Sequence, residues 1–174
     1  MSTGPHTERP DAAMPSVRLR HAVRAIVLDE EDRVLLCRCV LPDEVVWITP
    51  GGGVEPGETP YAALRREIRE EVGLAVEGTP PPVWHQVIVA PGHAEGYDGV
   101  VNDYYLVRTR AFRPNGTLSD RELAAEHLTG FRWWRPGEIE DHRGPELFGP
   151  CDMAALLSAL LRDGVPDAPL LIGP

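Results

Sequence analysis

Three carboxylates fall close together near the middle of the chain. Glu67, Glu70 and Glu71 are spaced i, i+3 and i+4, and the segment around them reads as a helix from 59 to 73. Thr59 supplies an N-cap, Pro60 suits the first helical position, and Gly73 supplies the stop. With a rotation of about 100° per residue, the three glutamates share an arc of about 100° and form one patch. Tyr61, Leu64, Ile68 and Val72 fill a neighbouring arc of about 80°, a stripe able to dock on a sheet. Carboxylates this close repel one another unless a cation holds them. Hard cations such as Mg²⁺ or Mn²⁺ take oxygen ligands, and Mg²⁺ keeps waters and leans on substrate phosphates. The helix alone leaves a second reading open, a solvated acidic face offset by Arg65, Arg66 and Arg69.

The elements that must position this helix are mostly strands. Residues 17–28 and 33–40 read as two strands joined by the acidic turn Asp29-Glu30-Glu31-Asp32, and Val45-Val46-Trp47-Ile48 as a third. Pro50-Gly51-Gly52-Gly53 reads as a loop of unusual backbone freedom. Strands follow at 83–90 and 100–112, joined by a Gly-rich loop, and another lies near Phe131-Arg132-Trp133-Trp134. Between them lies a polar stretch, 115–126. Residues 151–161 have a helical apolar pattern. Residues 1–16 read as a disordered leader, 17–163 as a single domain, and 164–174, with three prolines, as a loosely held tail.

Gly52, Glu58, Arg66, Glu67, Ile68, Glu70, Glu71, Gly73 and Leu74 stand in the spacing G-x5-E-x7-R-E-(aliphatic)-x-E-E-x-G-(aliphatic). This resembles the Nudix box at every fixed position, and Trp47-x-x-Pro50-Gly51-Gly52 is similar to the family's usual lead-in. Beyond about residue 112 the resemblance rests on the order of elements alone. It implies an α/β fold, a Nudix-like α/β/α sandwich with a mixed β-sheet and the box as loop–helix–loop. The implied activity is hydrolysis of a nucleoside diphosphate linked to another moiety, with Mg²⁺ or Mn²⁺ as cofactor.

Carried over residue by residue, Glu70 and Glu71 would be the main metal ligands, Glu67 a further ligand or general base, and the Gly51 carbonyl another ligand. Arg66 and Glu58 would pair to orient the helix and loop, with Gly52 and Gly73 as structural glycines of the box. The family often draws its base, or an extra ligand, from a later loop; Glu126 is the first candidate here and Glu122 the second. The competing reading is a nucleotide sensor of the same fold that no longer cleaves. Such proteins usually lose box carboxylates, and this chain keeps Glu58, Glu67, Glu70 and Glu71.

A diphosphate needs cationic grips. Alternation puts Arg38 on one strand face with Val34, Leu36 and Val40, so it either reaches substrate or makes an internal salt bridge. Arg18, Arg20 and Arg24 share another face and either line a cleft or sit on a solvated edge; Arg24 is the second substrate-binding candidate. Trp84, Tyr104, Trp133 and Trp134 suit core packing better than base stacking. His85 and His93 are possible acid–base groups that would equally serve as exposed loop residues. Motifs that mark substrate branches are not met: Pro91 falls one residue late for the ADP-ribose spacing, and Tyr97 lies too far along for the dinucleoside polyphosphate one.

Composition bounds the partners. The chain has 174 residues, 17 basic and 27 acidic, for a formal charge of −10, and every basic residue is arginine. That balance argues against coating nucleic acid by counterion release. A small nucleotide-type substrate is the partner expected, with a homodimer possible by family habit. No apolar run approaches the roughly 18 residues needed to span a membrane, and no stretch in the leader suits a secretory signal. Cys37, Cys39 and Cys151 are too few and too scattered for a disulfide framework, which points to reduced thiols and a cytoplasmic setting.

Overall fold

The computed structural model describes residues 17–90, 92 and 95–173; the expected leader, Pro91 and His93 lie outside the described residues. One mixed sheet organises the chain. β1 (Leu19–Leu28), β2 (Val34–Val40) and β3 (Val45–Ile48) follow in sequence, then the short β4 (Gly51–Gly53) and the helix α1 (Pro60–Val72). β5 (Pro82–Ile88) and β6 (Gly99–Arg108) precede α2 (Asp120–Ala125) and β7 (Leu128–Trp134). α3 (Pro136–Glu140), β8 (Leu147–Gly149), α4 (Met153–Asp163) and β9 (Leu170–Ile172) complete the order. The sheet runs β8-β3-β2-β1-β6-β5-β9, with β4 added to β1 and β7 to β2.

β1 is the axis of the sheet. It runs parallel to β6 over its whole length, from Leu19 against Gly99 to Leu28 against Arg108. Its other edge changes partner midway: Ala22, Val23 and Arg24 pair with β4, whereas Leu28 pairs with Val34 of β2. The sheet therefore splits beside Arg24, and the two faces of β1 are committed to different layers. Val23, Ala25 and Val27 pack under α1 against Leu64, Ile68 and Val72, the stripe expected from the helical spacing. Ile26 and Leu28 pack on the other face against Met153 and Leu157 of α4, with Trp47, Trp84 and Trp134 around them. Leu64, Ile68 and Val72 are each sealed from water, contributing about 1.5–3 kcal/mol apiece toward docking α1. The fold is thus an α/β/α sandwich.

Two expectations are overturned. The glycine run at 51–53 is not a loop but strand β4, hydrogen-bonded to β1. Glycine makes this possible: a Cβ on Gly51 would lie 2.1 Å from the Val23 carbonyl, and its φ of 138° suits no L side chain. The expected loose tail, 164–174, contains a strand among its described residues. Leu170–Ile172 pair in parallel with Trp84–Gln86 of β5, and Ile172 joins the core. The three prolines hid a strand too short to show alternation. The strands at 83–90 and 100–112 shorten to 82–88 and 99–108, while α3 and β8 were not anticipated.

α1 begins and ends as its sequence dictates. Thr59 Oγ1 accepts from the Ala62 N–H at 3.2 Å, and Gly73 takes the left-handed conformation with φ 77°. Its last carbonyls are covered by a later segment. The Asn115 N–H donates to the Val72 carbonyl at 3.1 Å and the Leu118 N–H to that of Glu70 at 3.0 Å, satisfying groups a helix end leaves open. Gly116 approaches so closely that a Cβ would lie 1.9 Å from the Glu70 oxygen. This seating brings the segment leading to α2 alongside the acidic helix face.

Candidate active site

The acidic patch lies where α1 meets the β3–β4 turn. Glu71 is 3 % exposed, and its Oε2 accepts from the Gly51 N–H at 2.9 Å. Glu67 is also buried, its carboxylate filling the space beside Gly52 that a Cβ would occupy at 2.5 Å. Glu70 is half-buried at the rim. Arg66 ties the group together. Its Nε and Nη2 donate to the two oxygens of Glu58 at 2.9 Å each, Nη1 to Glu67 at 2.8 Å and to Glu70 at 3.4 Å, and Nη2 also to the Gly53 carbonyl at 3.0 Å. The expected pairing of Arg66 with Glu58 is therefore a two-pronged ion pair that locks loop to helix.

Protonation follows from burial. Desolvation pushes the Glu71 carboxyl up to about 8, against the Gly51 N–H and the Arg24 charge that favour ionisation. Glu67 is also raised by burial, with Arg66 opposing it. The charge of Glu126 adds to both upward shifts, which puts this residue within electrostatic reach of the patch from the end of α2. Glu122 is turned away: its carboxylate caps α2 through the N–H and hydroxyl of Ser119. Glu58, in contrast, is held low by its hydrogen bonds to Arg66.

The donor set suits a hard divalent cation. Glu67, Glu70 and Glu71 each keep one carboxylate oxygen without a hydrogen bond among the described residues, and the Gly51 carbonyl has a second lone pair. No three His, Cys, Asp or Glu side chains among the described residues come together as a cage that could hold a metal ion by itself. Arg66 draws Glu67 and Glu70 one way while Gly51 holds Glu71 the other. Mg²⁺ does not require such a cage, since it completes its shell with waters and substrate oxygens.

On the opposite face of the sheet a cleft of about 1140 Å³ opens between β1, β6 and α4, and Arg20, Arg24, Thr49, Asn102 and Ser158 are among its walls. Arg24 lies at the sheet split. Its Nη1 donates to the Gly51 carbonyl at 3.0 Å and the Thr49 carbonyl at 3.4 Å, and its Nε to Asn102 Oδ1 at 3.4 Å. Arg20 lies over Gly53, where a Cβ would meet its guanidinium at 2.4 Å.

Arg38 takes the internal alternative. It pairs with Glu146 at 2.8 Å, and the other Glu146 oxygen accepts from the Trp47 indole at 2.7 Å. The guanidinium is spent on fastening β8 to the sheet and does not line the cleft. Arg18 sits over the Tyr97 ring. Of the four aromatic candidates, Trp84 and Trp134 are core, Trp133 donates its indole N–H to the Phe112 carbonyl, and only Tyr104 reaches the cleft. His85 is in β5, within the strand expected at 83–90; with His21 it shares Asp103 at 2.6 Å on the α1 face. Sequence reasoning missed Gln86 and Asn102, buried amides facing the cleft. Strand alternation carried the signal, since Asn102 shares a face with Tyr104.

A mixed sheet between helices, with an acidic loop–helix at the sheet split and a cleft on the opposite face, defines an α/β/α class of fold. The sequence matches the NUDIX domain over residues 18–149, and the chain belongs to the Nudix family. It is 44 % identical over 88 residues to nucleoside triphosphatase NudI of Enterobacter sp., a match covering 47 % of this chain and 61 % of that protein. It is 30 % identical over 124 residues to NudI of Escherichia fergusonii, covering 67 % and 82 %. The solution structure of the E. coli ORF135 protein superposes with a TM-score of 0.60 at 22 % identity, over 89 % of this chain and 99 % of that one, which supports the fold.

Proposed function

We propose that the protein is a divalent-metal-dependent pyrophosphohydrolase that cleaves a phosphoric anhydride of a small nucleotide derivative by water attack at phosphorus. The observation that carries this reading is the seating of Glu67 and Glu71 against Gly52 and Gly51, with Glu70 tied to Glu67 through Arg66 and each carboxylate keeping an oxygen without a hydrogen bond among the described residues. Relatives named nucleoside triphosphatases agree with it.

In this reading Glu67, Glu70, Glu71 and the Gly51 carbonyl hold Mg²⁺ or Mn²⁺. The ion would stabilise charge on the phosphoryl oxygens and acidify water. The residues themselves do the rest. Arg66 holds Glu67 and Glu70 in place through its grip on Glu58. Glu126, within reach of the patch, accepts the proton of the attacking water. Arg24, a wall of the cleft whose Nη2 has no hydrogen bond among the described residues, binds a phosphate there.

The test is a product screen of nucleoside triphosphates, nucleotide sugars, ADP-ribose and dinucleoside polyphosphates with Mg²⁺ and Mn²⁺. Cleavage of one class by the native chain, lost in Glu70→Gln, is the expected result. Unchanged turnover in that variant refutes the site.

A further inference from the structure

The cleft floor contains a hydrogen-bonded chain running from the C-terminal strand to the acidic patch. We propose that the amides of Gln86 and Asn102 are positioning residues that hold Arg24 as the anion hook of the cleft. The hook itself rests on the functional reading above.

The chain starts at β9. Gln86 Nε2 donates to the Gly173 carbonyl at 2.7 Å, which fixes the amide with its Oε1 turned toward β6. That oxygen accepts from Asn102 Nδ2 and from the Tyr104 hydroxyl, at 3.0 Å each. An amide has one donor end and one acceptor end, so satisfying Gly173 dictates every orientation downstream. Asn102 is thereby turned with Oδ1 toward the Arg24 Nε–H, at 3.4 Å. The same guanidinium bonds the Gly51 carbonyl, and the Gly51 N–H bonds Glu71. Strand register makes the chain possible: Gln86 stands opposite Asn102 and beside Ile172, and Tyr104 opposite Arg24.

Two features separate this arrangement from polar groups that merely satisfy one another. Gln86 and Asn102 are 3 % and 6 % exposed, on a strand face otherwise given to core. Apolar residues there would avoid the need for any network. Moreover, the end of the chain is a guanidinium held only by neutral acceptors, with no carboxylate ion pair among the described residues. Its Nη2 has no hydrogen bond among them. Neutral acceptors fix an arginine without cancelling its charge, so the charge stays available to a phosphate.

Calorimetric titration of the full chain with inorganic pyrophosphate in Mg²⁺ tests the relay. Asn102→Ala is expected to weaken binding about tenfold, the scale of one hydrogen bond to a charged group. Arg24→Ala should weaken it at least as much, and the double variant no further than Arg24→Ala alone, because the amide acts through the arginine. Asn102→Asp preserves volume but pairs a carboxylate with Arg24, and should match the loss in Arg24→Ala even if Asn102→Ala does not fold. Native-like binding in Asn102→Asp, additive losses in the double variant, or no pyrophosphate binding by the native chain would each overturn the relay. Coupled losses in a chain that hydrolyses no nucleotide would refute the hydrolase reading and leave the relay standing.

Discussion

Arg66 and Arg24 flank the same short strand, β4, and are held in opposite ways. Arg66 is saturated with carboxylates: Glu58 takes two of its N–H groups, and Glu67 and Glu70 share a third position. Arg24 touches carbonyls and one amide, and its Nη2 has no hydrogen bond among the described residues. Both are partly buried arginines in one neighbourhood, yet only the first has its charge cancelled. A saturated cation is a scaffold. A cation fixed by neutral dipoles keeps its charge, which is what the proposed anion hook requires.

Experiments that break this contrast can be ranked by size. Glu70→Gln acts on the carboxylate patch itself, and turnover should fall about 10³-fold, the scale of losing one electrostatic stabiliser of a transition state. Steady-state kinetics with the substrate found in the product screen would measure it. Arg66→Ala should mainly cost stability, about 2–3 kcal/mol by urea unfolding, because it strands Glu58 and Glu67 without their partner. Arg24→Ala should do the reverse. Unfolding free energy should change by less than about 1 kcal/mol, while KM rises roughly tenfold. Equal destabilisation by the two substitutions would erase the distinction.

The smallest effect is in pH dependence. Arg66 depresses the Glu58 carboxyl below its ordinary value of 4.5. Folding is therefore favoured by ionised Glu58 fully above pH 4.5, and this contribution fades as pH falls further toward the depressed value. Acid unfolding of Arg66→Ala should lack that limb, whereas Arg24→Ala should retain it. Thermal melts between pH 3 and 7 would separate the two.

Legibility in the sequence followed the distance over which each interaction is encoded. The box is contiguous, so its cap at Thr59, its stop at Gly73 and its apolar stripe could be read from local spacing, whereas the Arg66–Glu58 pair came from the resemblance to the family. Glu126 was reachable as a candidate through family habit; the segment that precedes its helix, residues 115–118, closes over the end of α1. Arg38 shows the limit of alternation. The pattern put it correctly on a face, but whether that face met substrate or Glu146 depended on a residue far along the chain. β9 was missed because three residues carry too little periodicity to outweigh the flanking prolines.

The sequence by itself determined the helix of the candidate site, which must gather three carboxylates on one arc; that the glycine run beside it is a strand emerged only in the fold. The all-arginine charge composition did not mark the functional cations. Tertiary structure decided which arginine is neutralised and which is held in reserve, since both outcomes require partners from strands that are distant in sequence. It also decided that residues 170–172 form a last strand beside β5 and that the Gly173 carbonyl accepts from Gln86, a wall of the cleft. Local steric and charge rules act over a few residues, whereas a buried amide finds its partner only once the sheet has set its register.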